Sequence, residues 1–457
     1  MPSVNKYSFL LLAAVICLIK PNTSHASPWL ESDDPFIRAD LQLLADAGLL
    51  EAPINNYPLR WSTFGDDVKY KQAKPATHLA KNHINYMLTT AKTQRSRNMT
   101  KAILGNAEPV NTGFGQSNKN EWGVYASSEQ TFGDFSFRIN SSYSKEVTAS
   151  GSENNFLWDG SYLALNAGQW LFTVGVIDRW WGPSWQHNLS TGNYGQANPS
   201  VSVSYLGDKL PLLGYWSAES VIELLNEDFK YLSSSRVMVK PLKFIELGAT
   251  YQTTEKNNVN TAIPDNTINK RMLNYGIDGR LSLPNILNVY HGFFISYQSM
   301  DYQESASANI IGWDGQFNFY DNSVRLVIEK QTVTDENGVF SLNKANTASQ
   351  PFNTNSVSWG DSSSVAFYFQ FLNDHKMSIV YRNSNGLNEK EEQTIQLDYR
   401  VPLAKGQWHI GLGQTNNKLN STVSSTISST ISKTESSLDE NDIGNEFNVW
   451  SGYELRF

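Results

Sequence analysis

The chain has 457 residues, a formal net charge of −8 at pH 7 and a mean hydropathy of −0.41. An acidic chain of this kind argues against nucleic acid as a partner. Beyond the N-terminal region no apolar stretch approaches the ~20 residues of a membrane-spanning helix, so spanning by helices is excluded. The 13 Trp, 21 Tyr and 22 Phe are typical of lipid-facing strands and interfacial girdles, although a secreted soluble all-β protein could share this composition.

Residues 1–26 predict a secretory signal peptide. Lys6 gives a basic start, Phe9 to Ile19 an apolar run, and Ser24-His25-Ala26 a cleavage site. The single cysteine, Cys17, lies inside this segment, and the bulky Ile16 before it argues against a lipoprotein. The mature chain would therefore contain no cysteine and no disulfide.

Residues 27–99 are predicted to form a small α-helical cap. Apolar residues at a helical period, with a glycine placed as C-cap, predict a helix from about Pro35 to Gly48. A second helical pattern runs from about Ala76 to Ala91. Because the cap follows the signal peptide directly, we expect it to be periplasmic and non-catalytic.

From about residue 100 the pattern changes to the period-two alternation of β-strands. Phe135, Phe137 and Ile139 alternate with polar residues, and Trp170 to Val176 alternates in the same way. Runs of about nine to thirteen residues suit strands that cross a bilayer at a tilt. These runs cover roughly 121–132, 199–206, 214–224, 234–241, 243–254, 270–283, 288–301, 307–319, 322–333, 363–373, 375–385, 391–402, 406–417 and 446–457.

The connections between the runs alternate between short turns and long loops, as in a barrel with turns on one rim and loops on the other. Short turns are predicted at positions such as Gly133-Asp134 and Pro241-Leu242, and a low-complexity segment, Ser421 to Ser437, lies in the last long loop. Counting a first strand at residues 100–110 gives an even number of strands, so the barrel can close with both chain ends on the same rim. We therefore predict an all-β transmembrane barrel of about 18 antiparallel strands over residues 100–457, located in the outer membrane.

The last run, Glu446 to Phe457, has the form of a barrel-closing strand. It has one apolar and one polar face, and it ends on an aromatic residue, as the closing strands of outer-membrane barrels do. A soluble sheet could show the same alternation. We expect outer-membrane lipid to contact the apolar face and the barrel assembly machinery to recognise the strand that ends in Phe457.

The densest group of residues that could bind a ligand follows the run at 170–176. Flat aromatic faces pack on pyranose rings, and planar polar groups hydrogen-bond sugar hydroxyls. The segment therefore predicts a carbohydrate site, with the candidate residues Asp178, Arg179, Trp180, Trp181, Trp185 and His187. In the alternative interpretation, Trp180 and Trp185 belong to the outer aromatic girdle, and Asp178 pairs with Arg179 in the barrel wall.

Enzymatic interpretations have little support in the sequence. It contains no H-E-x-x-H motif, no G-x-S-x-G motif and no glycine-rich phosphate loop. We expect no catalytic residue, no metal and no cofactor. A lipase-like His/Ser pair within a barrel wall leaves no local signature, so that alternative stays open.

Three segments of the chain carry a family resemblance. Arg38 to Gly48, followed by Pro53 and Tyr57 to Trp61, is similar to the N-terminal signature of the Wzi-type capsule assembly proteins. Val174 to Pro183 resembles its central motif, and Arg236 to Gly248 resembles a later strand pair.

The resemblance spans most of residues 34–457, with a departure at Leu213-Gly214-Tyr215-Trp216, where Gly-Pro-Trp is expected. It implies an 18-stranded outer-membrane barrel with a periplasmic helical cap. It also implies a lectin-like role that anchors or assembles capsular or extracellular polysaccharide at the cell surface, without identifying the sugar. The alternative function is a porin or other diffusion channel, which needs an open lumen.

Overall fold

The computed structural model describes most of the chain beyond its N-terminal segment. The predicted signal peptide and the low-complexity segment 421–437 lie outside the described residues. The described ranges are 27–92, 98–107, 113–115, 120–148, 151–192, 197–225, 229–256, 271–283, 285–302, 304–319, 322–334, 339–341, 358–385, 390–419 and 445–457.

Eighteen strands form the barrel wall, as predicted. They are β1 (Asn98–Gly105), β2 (Trp122–Phe132), β3 (Phe135–Thr148), β4 (Gly151–Leu157 and Tyr162–Ala167), β5 (Trp170–Val176), β6 (Pro199–Leu210), β7 (Gly214–Leu224), β8 (Phe229–Leu242), β9 (Ile245–Lys256), β10 (Arg271–Ser282), β11 (Val289–Tyr302), β12 (Glu304–Phe319), β13 (Asn322–Val333), β14 (Ser362–Gln370), β15 (Lys376–Asn385), β16 (Lys390–Leu403), β17 (Gly406–Leu419) and β18 (Asn445–Arg456).

Each strand is antiparallel to the next, and β18 pairs with β1 to close the barrel. Strand β4 is interrupted, and both of its parts pair with β3. Strand β1 ends at Gly105 rather than at 110. The closing seam continues past the strands, because the backbone amides of Asn98 and Phe457 each donate to the carbonyl oxygen of the other, at 3.1 and 2.9 Å.

The predicted alternation places apolar side chains outside and small or polar ones inside. On β5, Trp170, Phe172 and Val174 are 47%, 45% and 54% exposed, whereas Leu171 and Thr173 between them are buried. An outward apolar belt around a closed barrel is the arrangement that lipid requires, since no backbone edge is left unpaired.

The turns differ from the prediction at several positions, of which two are informative. The turn predicted at Pro241-Leu242 lies two residues later, because Leu242 still pairs with Ile245. A turn at 211–213, which was not predicted, joins β6 to β7. It ends at Gly214, which has φ +68 and where a Cβ atom would lie 1.8 Å from a carbonyl oxygen of β8, so this position requires glycine.

The N-terminal region forms three helices, of which the first and third were predicted. The Asp34 carboxylate caps the first helix by accepting hydrogen bonds from the amides of Phe36 (2.8 Å) and Ile37 (3.3 Å). The helices are α1 (Pro35–Asp46), α2 (Gly65–Tyr70) and α3 (His78–Lys92). Among the described residues, no helix is both long and apolar enough to cross a membrane.

Among the described residues, three short antiparallel strand pairings lie outside the wall. One of them joins the N-terminal region to the segment that follows β5. The pairings are Trp29–Leu30 with Leu59–Arg60, Asn56–Tyr57 with Trp180–Trp181, and Val339–Ser341 with Ser358–Gly360.

Helix α1 lies inside the barrel, and all twelve of its residues are buried. Its backbone is bonded to the inner wall: Arg325 of β13 donates to the carbonyl oxygen of Ala39 (3.1 Å), and Gln370 of β14 donates to that of Phe36 (2.8 Å). An amphipathic helix normally buries one face, but here the wall covers the side that would otherwise face water.

Buried charges fix α1 to three strands. Asp314 of β12 accepts hydrogen bonds from Arg280 of β10 and Arg325 of β13, both at 2.5 Å. Arg280 also donates to Asp46 at the end of α1, at 3.1 Å. All four side chains are almost completely buried, so each charge depends on its partners to offset the cost of leaving water.

Replacing Asp314 with Asn should destabilise the barrel by about 3–5 kcal/mol, because two buried guanidinium groups lose their shared carboxylate. The temperature at which the folded form converts to the slower-migrating unfolded form on a gel measures this effect. Asp374→Asn is the matched control, since Asp374 lies exposed in the turn between β14 and β15 with a left-handed φ that Asn tolerates. Equal conversion temperatures for the two variants would contradict the assignment.

Candidate functional site

The segment that follows β5 turns into the lumen instead of extending outward. Trp180 and Trp181 pair with Tyr57 and Asn56 of the N-terminal region. The predicted candidate residues therefore lie inside the barrel, against the N-terminal region, which forms much of their surroundings.

A buried arginine holds this inward segment. The Arg38 guanidinium of α1 donates to the carbonyl oxygens of Ser184 (2.9 Å), Pro183 (3.0 Å) and Gly182 (3.2 Å). It also lies 4.4 Å from the ring centroids of both Phe114 and Trp185. Three hydrogen bonds and two cation–π contacts offset the cost of burying the charge.

Burial lowers the pKa of Arg38 to about 10, so the guanidinium remains charged at neutral pH. The carbonyl oxygens of the segment carry only a partial negative charge, so their contact with Arg38 depends on a guanidinium that stays positively charged.

The same segment is held from the opposite side by the wall. The carboxylate of Glu329, on β13, accepts hydrogen bonds from the backbone amides of Trp185, Gln186 (2.9 Å) and His187 (3.1 Å). Carbonyl oxygens thus face a cation and amides face an anion, which fixes the backbone of residues 182–187 in one conformation.

The three candidate tryptophans do not offer free stacking faces in this structure. Trp180, Trp181 and Trp185 are 0%, 2% and 0% exposed. The alternative that placed Trp180 and Trp185 in the outer girdle is wrong, because both lie inside the lumen.

The other three candidate residues differ in their surroundings. Arg179 is buried and bonds Glu219 of β7 at 3.2 Å, which corrects the alternative pairing with Asp178. His187 is buried, and burial lowers its pKa to about 3, so the imidazole is neutral. Asp178 lines a large cavity beside the inward segment. A sugar-binding role for the six residues stays a prediction.

The cavity has a volume of about 490 Å³ and lies between the N-terminal region and strands β1–β4 and β15–β18. This volume is within the range of small-molecule sites. The cavity was not predicted from the sequence. Its polar and aromatic lining includes Trp29, Trp61, Lys101, Tyr125, Glu129, Arg138, Asn140, Asp159, Asp178, Lys376, Arg400, His409, Glu454 and Arg456.

An acidic segment, Glu31 to Asp34, lines the cavity between opposite parts of the wall; we call it the acidic strap. Glu31 forms an ion pair with Arg138 of β3. Asp34 lies 3.5 Å from the Nζ atom of Lys376 on β15 and 3.6 Å from Arg400 on β16.

The wall opposite Asp34 carries what we call the basic row, Lys376, Arg400 and His409. Arg400 lies directly opposite Lys376 in the neighbouring strand, and His409 of β17 lies directly opposite Arg400. In the sequence, the acidic strap could have been recognised as a run of acidic residues just before a predicted helix. The basic row has no such signal, because strand register brings its residues together.

The two aspartates of the strap differ in their ionisation. Burial within the barrel and the nearby Glu31 carboxylate raise the pKa of Asp33 to about 6, although its side chain is open to the cavity. Burial also raises the pKa of Asp34, but the positive charges of Lys376 and Arg400 outweigh it and hold that pKa well below its usual range.

Within the part of the chain that the structure describes, no group of three or more His, Cys, Asp or Glu side chains could hold a metal ion.

Replacing Arg38 with Met should loosen residues 182–187, because three carbonyl oxygens lose their donor; we expect a cost of about 2 kcal/mol or more. Limited proteolysis in detergent should then cut within this segment while the barrel stays folded. Lys69→Met, at an exposed position of α2, is the control. Unchanged resistance in the Arg38 variant would show that the segment does not depend on this side chain.

Asp33→Asn and Asp34→Asn should act in opposite directions at pH 7.5. The raised pKa of Asp33 means that its charge opposes folding at pH 7.5, so Asn should raise the gel-conversion temperature. This gain should shrink as the pH falls below about 6 and disappear only near pH 3.8, the usual pKa of an aspartate, where the unfolded chain is also protonated. The lowered pKa of Asp34 means that its charge stabilises the fold at neutral pH, and that this contribution is lost only in strong acid. Asn at position 34 should therefore lower the conversion temperature. Shifts of the same sign at pH 7.5 would contradict these two ionisation states.

Comparison with known proteins supports the resemblance seen in the sequence. The family model described as capsule assembly protein Wzi matches residues 92–256, a range that holds β1–β9 and the inward segment. No curated relative matches the chain.

Among solved structures, Wzi of Escherichia coli has the same fold, with a TM-score of 0.73, 14% sequence identity and coverage of 94% of this chain and 99% of that chain. It is described as an outer membrane protein involved in group 1 capsule assembly and as a carbohydrate-binding β-barrel. OccD3 of Pseudomonas aeruginosa and a BenF-like porin of Pseudomonas fluorescens each match at a TM-score of 0.45 and 10% identity, over 79% of this chain and 90% and 98% of theirs. Scores at that level carry no argument. The predicted resemblance to the Wzi-type capsule assembly family is confirmed, and the chain has the β-barrel fold of Wzi.

Proposed function

We propose that this protein is a lectin-like outer-membrane barrel that anchors or assembles capsular or extracellular polysaccharide at the cell surface. The observation that carries the proposal is the match of residues 92–256 to the Wzi family model. The matched range includes Asp178 and the buried segment 182–187. The fold shared with Wzi over nearly the whole chain is consistent with this function.

The large polar cavity supports carbohydrate binding. Sugars need hydrogen-bonding groups around an aromatic surface, and the cavity lining offers both. In this proposal Asp178 faces the sugar, whereas Arg179, Trp180, Trp181, Trp185 and His187 keep the inward segment in place.

The proposed organisation follows from this assignment. Residues 1–26 direct export, residues 27–99 occupy the periplasmic end and the lumen, and residues 100–457 form the barrel. The short-turn rim faces the periplasm, as in other outer-membrane barrels. The outer face contacts lipid, and the strand ending in Phe457 is the element that the barrel assembly machinery would recognise.

The alternative of a diffusion channel has less support. Helix α1 and residues 182–187 occupy the lumen beside β10–β14. A buried ion pair attaches α1 to the wall, and hydrogen bonds to Glu329 attach residues 182–187. We propose a binding role without catalysis.

Cells that lack the protein should shed polysaccharide that wild-type cells retain, and Asp178→Asn should reduce retention partially. The ratio of cell-bound to shed polysaccharide measures this effect, with Asp374→Asn as the control. Unchanged retention in cells without the protein would overturn the proposed function. In planar bilayers the purified protein should show no porin-like single-channel conductance, and a large steady conductance would favour the alternative.

A further inference from the structure

Two residues of the basic row, Lys376 and Arg400, place positive charges side by side on the wall. Lys376 and Arg400 lie directly opposite each other on neighbouring strands, and both line the cavity. Like charges in this position destabilise strand pairing unless an anion lies between them. The wall therefore requires a negative group at this place.

The acidic strap supplies that group from outside the wall. Asp34 lies 3.5 and 3.6 Å from the two cations, which is longer than the 2.7–2.9 Å of close charge-assisted hydrogen bonds. Asp33, beside it, faces the cavity and lies near two further carboxylates, those of Glu31 and Glu454. The Asp34 carboxylate is held by the amides of α1 but contacts the two cations only at these longer distances, so another anion can replace it beside the cations.

Three residues that line the same cavity carry hydrogen-bonding atoms that the described residues do not satisfy. The Nε1 atoms of Trp29 and Trp61 and the Nδ1 atom of His409 have no hydrogen-bond partner. Trp29, Trp61 and His409 are only 4%, 7% and 3% exposed. Buried polar groups are normally paired, so these three atoms point to a ligand with hydroxyl groups.

We propose that the basic row is a binding site for the carboxylate of an acidic sugar, and that the acidic strap occupies this site as a built-in competitor. The sugar carboxylate bridges Lys376 and Arg400 in place of Asp34, and its hydroxyl groups bind the polar lining of the cavity, beside Trp29 and Trp61. This inference rests on the proposed polysaccharide-binding function and names the class of sugar.

The test measures binding of a trimer of galacturonic acid to the full protein in detergent by titration calorimetry at low salt. The double variant Asp33→Asn, Asp34→Asn should bind the trimer about tenfold more tightly than wild type, because removing a competitor raises the fraction of binding-competent protein. Asn retains the ability to cap α1, so the helix should stay intact. Arg400→Gln should weaken binding about tenfold or more, and added salt should weaken binding in every variant.

The matched control is Glu51→Gln, Asp66→Asn, which removes two carboxylates of the N-terminal region that do not line the cavity. It should bind the trimer like wild type, and the neutral trimer maltotriose should not distinguish any of the variants. Gel-conversion temperatures confirm that each variant is folded. If the strap variant binds no more tightly than this control, or if Arg400→Gln retains wild-type affinity, the proposal is overturned. Absence of binding by both the wild type and the strap variant would also overturn it.

The outcome is independent of the polysaccharide-retention experiment. If cells without the protein retain their polysaccharide while the trimer binds as described, the proposed function fails and the acidic-sugar site stands. If those cells shed polysaccharide but the strap variant does not bind the trimer more tightly, the function stands and the acidic-sugar site fails.

Discussion

The interior of this barrel depends on the buried guanidinium of Arg38. It lies 4.4 Å from the ring centroids of both Phe114 and Trp185 and donates to three consecutive carbonyl oxygens of the inward segment. A backbone segment that enters a lumen brings polar groups with it, and these groups must be paired where water does not reach. Arg38 pairs the carbonyl oxygens and Glu329 pairs the amides, so helix α1, the segment after β5 and the wall form one unit.

Other carboxylates of the wall also accept hydrogen bonds from the N-terminal region. Glu246 of β9 accepts hydrogen bonds from the amide of Ile54 and the side chain of Asn55, and Glu219 of β7 accepts one from Asn56. Hydrogen bonds to these fixed charges hold the N-terminal region in one position inside the barrel. Apolar contacts alone would allow a wider range of positions. These hydrogen bonds also explain why charged residues are found inside a barrel whose outer surface is apolar.

The lumen is thereby divided into two parts with different chemistry. Beside β11–β15, α1 and Trp185 pack in an apolar cluster with inward residues such as Phe294, Val327 and Tyr368. Beside β1–β4 and β15–β18, charged and aromatic side chains surround the cavity. The first part holds the N-terminal region in place, and the second is the part suited to a polar ligand. The acidic strap connects them, since Asp34 both caps α1 and faces the basic row.

The sequence by itself determined the barrel, its strand alternation and the helices α1 and α3, because the period of apolar residues is a local property that survives folding. On β5 and at the closing strand, the side chains predicted to share a face do share one. The sequence also identified the segment from Asp178 to His187 as unusual, but not its surroundings. Whether Trp185 stacks on a sugar or on Arg38 depends on a residue 147 positions away. The same limit applies to Lys376, Arg400 and His409, whose juxtaposition arises from strand register, which only the tertiary structure decides.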